Sequence, residues 1–221
     1  MVRQEHDLQL VIFDCDGVLV DSEVISNSVL ARLLTEEGLP TTLAEARRDY
    51  QGLLLREVFD RAQSRLGRPL GDLSARFESV RAEVFRRELQ AVAGAAQAVE
   101  RVLAAGVPVC VASQGKLEKT RLSLDLTGLR RLFPDRTLFS AYGVERGKPH
   151  PDLFLHAAAE MGAEPARCVV VEDTPSGVTG AVSAGMRVLG YTADSDARAL
   201  QQAGAEVFGS LEELPVLLRL S

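Results

Sequence analysis

The stretch Leu8-Gln9-Leu10-Val11-Ile12-Phe13-Asp14-Cys15-Asp16-Gly17-Val18 sets an apolar run directly against two acids spaced two residues apart. A run apolar on both faces predicts a strand over residues 8–13, buried in a parallel sheet. Residues i and i+2 leave a strand on the same side, so Asp14 and Asp16 can share one site. Two adjacent anions repel, and a cation or a shared proton would favour the pair. A calcium loop also begins with DxDG-like spacing, but it needs further ligands and a closing glutamate, and a buried strand directly upstream does not suit it. A plain solvated turn is the other reading of these four residues taken alone.

Outward from this segment, short apolar runs recur at 107–112 (VPVCVA), 168–171 (CVVV) and 188–191 (VLGY), with weaker ones at 137–141 and 206–208. Helical patterns fall between them, at 95–105 and 116–126. Strand alternating with helix predicts an α/β protein with a Rossmann-like doubly wound parallel sheet. Ligands of such sheets bind at the carboxyl ends of the strands. One interval breaks the alternation: residues 22–92 read as helix after helix, punctuated by Gly38-Leu39-Pro40 and Gly67-Arg68-Pro69. Leu30, Leu33, Leu34, Val58, Phe59, Phe77 and Phe85 supply its apolar stripe. The expected organisation is a core made of residues 1–20 and 94–221, with residues 21–93 inserted as an α-helical cap. The segments 18–21 and 92–95 are the expected hinges.

With 221 residues, 46% hydrophobic and 25% charged, the chain is long enough to bury a full core and is not compositionally disordered. A net charge of −6 argues against a dedicated nucleic-acid binder. Cys15, Cys110 and Cys168 are odd in number and form no CxxC pair. They suggest neither a disulfide framework nor a zinc site, but buried thiols in a reducing compartment. No stretch approaches the roughly 20 apolar residues of a membrane span. The start, MVRQEHDLQL, is charged and lacks an export signal's apolar region. A soluble, cytoplasmic protein without membrane contact is expected. Only Lys116, Lys119 and Lys148 of the 25 basic residues are lysines, so any role that needs a lysine has three candidates.

The other strand ends carry polar groups too. The run at 107–112 leads into Ser113-Gln114-Gly115, where a hydroxyl and backbone N–H groups could either cap the next helix or bind phosphate. In Glu145-Arg146-Gly147-Lys148-Pro149-His150-Pro151-Asp152, Lys148 is fixed in a turn between glycine and proline, where its ammonium could neutralise a phosphate or carboxylate. His150 reads as a surface turn residue. The run at 168–171 ends in Glu172-Asp173-Thr174-Pro175-Ser176-Gly177. Thr174 or Ser176 suffices to cap the helix that follows, while two more carboxylates at a strand's carboxyl end suit a hard cation such as Mg²⁺.

In order along the chain, FDCDGVLVDSE, VASQG, RGKPHPD and VVVEDTPSGVTGAVSAGM resemble the four motifs of the haloacid dehalogenase superfamily. More narrowly, they resemble its phosphotransferases with a helical cap between the first motif and the second strand. The resemblance covers essentially the whole chain. It implies that Asp14 attacks phosphorus to form an aspartyl-phosphate, and that Asp16 serves as general acid and then general base. It implies Mg²⁺ held by the Asp14 carboxylate, the Asp16 backbone carbonyl and Asp173, with Glu172 a direct or outer ligand. Ser113, the amides around Gln114, and Lys148 would stabilise the phosphoryl oxygens.

The same resemblance sorts the chemistries. Phosphonate-cleaving relatives use a cap lysine, and residues 22–92 contain none. Haloacid dehalogenases lack the second aspartate, which here is Asp16. The β-phosphoglucomutase branch carries a cap arginine three residues after a glycine like Gly52, and here that place holds Leu55, with Arg56 one residue later; its histidine is replaced by Ser26. Asp21-Ser22-Glu23 and Tyr50-Gln51-Gly52 resemble the sugar-phosphate phosphatase branch, including 6-phosphogluconate phosphatases. The expectation is a phosphatase of sugar or sugar-acid phosphates, a small phosphorylated metabolite being its partner and Glu23, Gly52 and Arg56 its cap contacts. The arginine-rich cap could hold a substrate carboxylate. A phosphomutase and a non-catalytic binding protein on a phosphatase frame are the alternatives. A monomer is the default for a capped enzyme.

Overall fold

The computed structural model describes residues 8–220, so the charged segment 1–7, read above as lacking an export signal, lies outside the described residues. Strand β1 (Leu10–Phe13) is followed by helices α1 (Glu23–Glu36), α2 (Leu43–Tyr50), α3 (Leu55–Leu66) and α4 (Leu73–Glu88). Helix α5 (Ala95–Ala104) leads to β2 (Val109–Ser113), α6 (Leu117–Leu126) and β3 (Leu138–Ser140). Then come α7 (Asp152–Glu160), β4 (Cys168–Glu172), α8 (Pro175–Ser183), β5 (Arg187–Tyr191), α9 (Ala197–Ala203), β6 (Glu206–Phe208) and the short α10 (Leu214–Leu217). All strand pairs are parallel, in the order β3-β2-β1-β4-β5-β6. Chain order reverses beside β1, between β2 and β4, which is where an open parallel sheet forms its ligand crevice.

The sheet is apolar on both faces for the reason the sequence suggests. Successive side chains alternate. Val11, Phe13, Val111 and Val171 pack on one face with α5 and α10. Leu10, Ile12, Cys110 and Val170 pack on the other with α7, α8 and α9. All three cysteines are buried and unpaired, and burial pushes the Cys168 thiol up to about 11.

Helices α1–α4 bury a cluster of their own, built on Leu30, Leu33, Leu34, Val58, Phe59 and Phe77. Gly67 ends α3 in the left-handed region (φ 68), where a side chain would be strained. Phe85 departs from the expected stripe. It packs with the sheet's cluster, because the last turns of α4 descend onto the core. The two chain crossings at the base of α1–α4 pair with each other: Asp21 N donates to Gln90 O (3.0 Å), Val92 N donates to Leu19 O (3.0 Å), and Val20 bridges Ala91 antiparallel. Among the described residues no helix is long and apolar enough to cross a membrane.

Beneath the carboxyl end of β1, Phe13 meets the edge of the fully buried Phe133, with ring centroids 6.3 Å apart. Replacing Phe133 by alanine is expected to cost about 3–5 kcal/mol of stability in a urea titration. A cost below about 1 kcal/mol would show that this contact does not support β1.

Candidate active site

The parallel register brings the motif residues to one edge. Phe13 pairs with Val111 and Val171, and Asp14 N extends the ladder by donating to Val171 O (2.9 Å). Asp14 therefore stands between the ends of β2 and β4, level with Ala112 and Glu172. The loop after it folds back tightly, Gly17 N donating to Val20 O (2.9 Å).

Lys148, from the turn between β3 and α7, enters this crevice buried. Its Nζ donates to Asp14 Oδ1 and to Glu172 Oε1, the latter at 2.6 Å. Burial opposes the charge, but the two carboxylates outweigh it and hold the ammonium's pKa above its ordinary value. The turn is braced by Arg146, whose guanidinium donates twice to Asp152 at 3.1 Å. His150 is exposed, as its sequence context suggests.

Glu172 has no oxygen to spare. Its Oε2 accepts from Asp173 N (2.9 Å), Thr174 N (2.8 Å) and Thr174 Oγ1 (2.9 Å), while Oε1 takes Lys148. A Cβ on Gly177 would lie 1.8 Å from Oε1, so glycine there makes room for the carboxylate. Thr174 also caps α8, accepting from Gly177 N (3.1 Å), as the sequence suggests.

Asp16 points elsewhere. Its Oδ1 accepts from Ser22 Oγ and from Lys119 Nζ, and Ser113 Oγ stands 3.5 Å from Oδ2. Burial pushes its pKa up, but Lys119 and Ser22 win and lower it. Ser113 is not the cap of α6, whose N-cap position is Lys116; its Oγ accepts from Gly115 N (3.0 Å) and shapes the loop. The Gln114 side chain grips the Lys148 backbone at both ends, accepting from its N (3.0 Å) and donating to its O (3.3 Å). Gln114 therefore offers the crevice its loop rather than its amide side chain.

Asp14, Asp16, Gln114, Lys148, Glu172 and Thr174 line a cavity of about 140 Å³ between the sheet edge and α1–α4, whereas Ser113 is fully buried behind it. Of the expected cap contacts, Glu23 and Gly52 line it. Arg56 does not: it is exposed, because the first turn of α3 turns Leu55 inward and the next residue points about 100° away. Three residues to which the sequence assigned no role of their own belong to the site: Ser22 and Lys119, which hold Asp16, and Arg81 on α4. Only the lysine scarcity hinted at Lys119.

The site carries more negative charge than its cations balance. Burial, together with Glu172 and Asp16 and against Lys148, pushes Asp14 up to about 7. Burial, Glu172 and Asp14 hold Asp173 well above the usual carboxylate range. Asp173 Oδ1 is buried without a hydrogen-bond partner among the described residues. Gly17 (φ 78) lies so close that a Cβ would come within 2.2 Å of Asp173 Oδ2. Among the described residues no three Asp, Glu, His or Cys side chains already form a ligand cluster, since Lys148 stands between Asp14 and Glu172. An unsatisfied buried oxygen and an all-oxygen donor set nevertheless fit a hard divalent cation held by few side chains.

The family model described as haloacid dehalogenase-like hydrolase matches residues 11–191, and the chain belongs to that family. It is 32% identical over 212 residues to the 6-phosphogluconate phosphatase of Escherichia coli (strain K12), covering 95% of this chain and 94% of that one. Among solved structures it is similar to a conserved haloacid dehalogenase-like protein of unknown function from Agrobacterium tumefaciens str. C58 (36% identity, TM-score 0.81, covering 96% and 98% of the two chains). It is also similar to a HAD family hydrolase from Deinococcus radiodurans R1 with bound phosphate and sodium (32% identity, TM-score 0.78, covering 97% and 96%).

Without metal, the raised carboxylates make stability depend on pH with a definite sign. The folded state keeps protons on Asp14, Asp173 and Glu23 that the unfolded chain releases above about pH 4. Their contribution is present at low pH and is lost as pH rises through about 7. The melting temperature of chelator-treated protein should therefore fall between about pH 5.5 and about pH 8. A rise across that window would contradict the assignment of these shifts.

Proposed function

We propose that this protein is a Mg²⁺-dependent phosphatase of small phosphorylated metabolites, sugar or sugar-acid phosphates, working through a phosphorylated Asp14. The observation that carries this reading is the buried Lys148 ammonium shared between Asp14 and Glu172 at the crevice of the sheet. It keeps a carboxylate oriented and partly neutralised beside a space that an anion can enter.

The Asp14 carboxylate oxygen attacks phosphorus, and the bond from phosphorus to the substrate's alkoxide oxygen breaks. Asp16 gives that oxygen a proton; it then takes one from the water that attacks the acyl-phosphate, releasing inorganic phosphate and restoring Asp14. In the present arrangement Lys119 and Ser22 hold Asp16 ionised, the form required for the water step; the proton it gives the leaving oxygen is the one taken from water in the preceding turnover, the first coming from solvent. Lys148, Ser113 and the amides of the 113–115 loop face the phosphoryl oxygens and oppose their growing charge. Mg²⁺, when bound, offsets the phosphoryl group's negative charge and that of the acids around it. The residues that would hold it are the Asp14 and Asp173 carboxylates and the Asp16 carbonyl. Glu172, fully bonded, acts one step out by fixing Lys148.

The helical unit of residues 21–93 acts as a cap over the core of residues 1–20 and 94–221 and excludes water during transfer. Similarity to a 6-phosphogluconate phosphatase supports the sugar-acid side of the substrate class. Loss of the mutase arginine's place to Leu55, with Arg56 turned to solvent, favours transfer to water over transfer to a second sugar phosphate. The same reading makes the protein a cytoplasmic monomer without nucleic-acid partners, in keeping with its buried unpaired thiols and acidic balance.

A panel of phosphomonoesters assayed with Mg²⁺ tests the reading. Sugar and sugar-acid phosphates should be preferred, and Asp14→Asn should lower the rate by about a thousandfold or more. Full activity in that variant would overturn the nucleophile. A preference for aryl phosphates alone would remove the sugar-specific part, and interconversion of glucose 1- and 6-phosphates would install the mutase instead.

A further inference from the structure

Four cations line the cavity, and three have their own carboxylates. Lys148 has Asp14 and Glu172, Lys119 has Asp16, and Lys116 reaches across to Glu78 of α4 at 2.7 Å. Arg81, one turn further along α4, has no hydrogen bond or ion pair with any described residue. It is half-buried, and burial opposes its charge. A cation removed from water without a partner costs stability, so its retention points to an anion supplied from outside the chain.

The way Arg81 is held says which kind. Its guanidinium carbon lies 4.8 Å from the ring centroid of Phe77 and 5.8 Å from that of Phe85, four residues before and four after it on α4. Aromatic rings engage a guanidinium through its face and steady its plane, which leaves the in-plane N–H fork available. That fork matches the two oxygens of a carboxylate.

The surrounding charge sets the valence. Glu78, Glu23 and Asp16 all lie near enough to act on Arg81, and Lys116 is already neutralised by Glu78. One uncompensated positive charge among acids accommodates a single negative charge better than the two of a second phosphate. The phosphoryl end of the substrate is served separately, by Lys148 and the 113–115 loop. Glu23, bonded to Asn27 Nδ2 at 3.1 Å, and Ser26 line the same cavity and offer partners for hydroxyls.

We propose that Arg81 is a specificity-determining residue that binds a carboxylate at the substrate's end remote from the phosphoryl group, so that the preferred substrates are phosphorylated sugar acids rather than neutral sugar or polyol phosphates. This rests on the phosphatase reading above. The matched pair of 6-phosphogluconate and glucitol 6-phosphate, which differ in a terminal carboxylate against a hydroxymethyl group, tests it.

With Mg²⁺, kcat and KM are measured for both compounds on the wild type, Arg81→Gln and Arg81→Lys. The wild type should favour the acid in kcat/KM. Arg81→Gln should lower the acid-to-polyol ratio roughly 10- to 100-fold, the size of a charge-assisted hydrogen bond, chiefly through KM for the acid. Arg81→Lys should restore part of the ratio. An unchanged ratio in Arg81→Gln, or a wild type that does not discriminate, would overturn the proposal while leaving the phosphatase intact. Because the ratio compares two substrates on one enzyme, a general loss of folded protein cannot mimic the expected result. If the wild type hydrolyses neither compound nor any other phosphomonoester, the phosphatase reading itself fails and this inference with it.

Discussion

A single buried ammonium, that of Lys148, organises the crevice. It bonds Asp14 on one side and Glu172 on the other, two acids delivered by neighbouring strands β1 and β4. Each of these carboxylates would be costly to bury alone, and removing one partner of such a cluster leaves an uncompensated charge. The surrounding backbone is shaped around this arrangement. Gln114 grips the Lys148 peptide, Gly177 leaves room for Glu172, and two main-chain N–H groups with the Thr174 hydroxyl fix the remaining oxygen of Glu172. Lys148 does not balance everything, however. Asp173 remains buried with an unbonded oxygen, and Asp14 stays raised despite the ammonium. The site is thus complete for one anion-binding cation and short of another.

A second, separate electrostatic unit sits on the side of helices α1–α4. Lys119 and Ser22 hold Asp16 away from the Lys148 cluster, although the two acids are only two residues apart. Ser22 lies on the segment that leads into α1, and Lys119 lies on α6. The position of Asp16 is therefore tied to both parts of the chain. The Lys116–Glu78 pair lines the cavity, while Arg47 Nη2 of α2 donates to Asp194 O of the loop after β5 at 3.2 Å beside a second cavity that Asp173 also lines. Both contacts are at least partly solvated and individually weak.

The parallel sheet was legible because strands covered on both faces leave continuous apolar runs, and 206–208 was read to the residue even though it is only three residues long. Lys148 was legible because lysine is scarce in this chain and glycine and proline pin it in a turn. What escaped is set by packing between distant segments. Lys119 lies within a helix like any solvated lysine, and only the meeting of α6 with the loop after β1 brings it to Asp16. Phe85 carries the same periodic signal as Phe77, yet the descent of α4 assigns them to different clusters. Arg56 and Leu55 differ by one residue, and the rotation of one helix turn decides which faces the cavity. Gln114 sits in a segment whose sequence suggests a phosphate-binding loop, but its side chain serves the Lys148 backbone, a tertiary pairing with no local trace. Neither does the sequence show that Arg81 is left without a counter-ion, since that depends on where every acid ends up.

The central claim is that the buried acids at the ends of β1 and β4 need one divalent cation beyond Lys148. Differential scanning calorimetry at about pH 8, on chelator-treated protein before and after adding Mg²⁺, tests it most directly. The expected result is a melting temperature about 4 °C or more higher with Mg²⁺ in the wild type, and no such rise in Asp173→Asn. A wild-type transition indifferent to Mg²⁺, or an undiminished rise in Asp173→Asn, would contradict it.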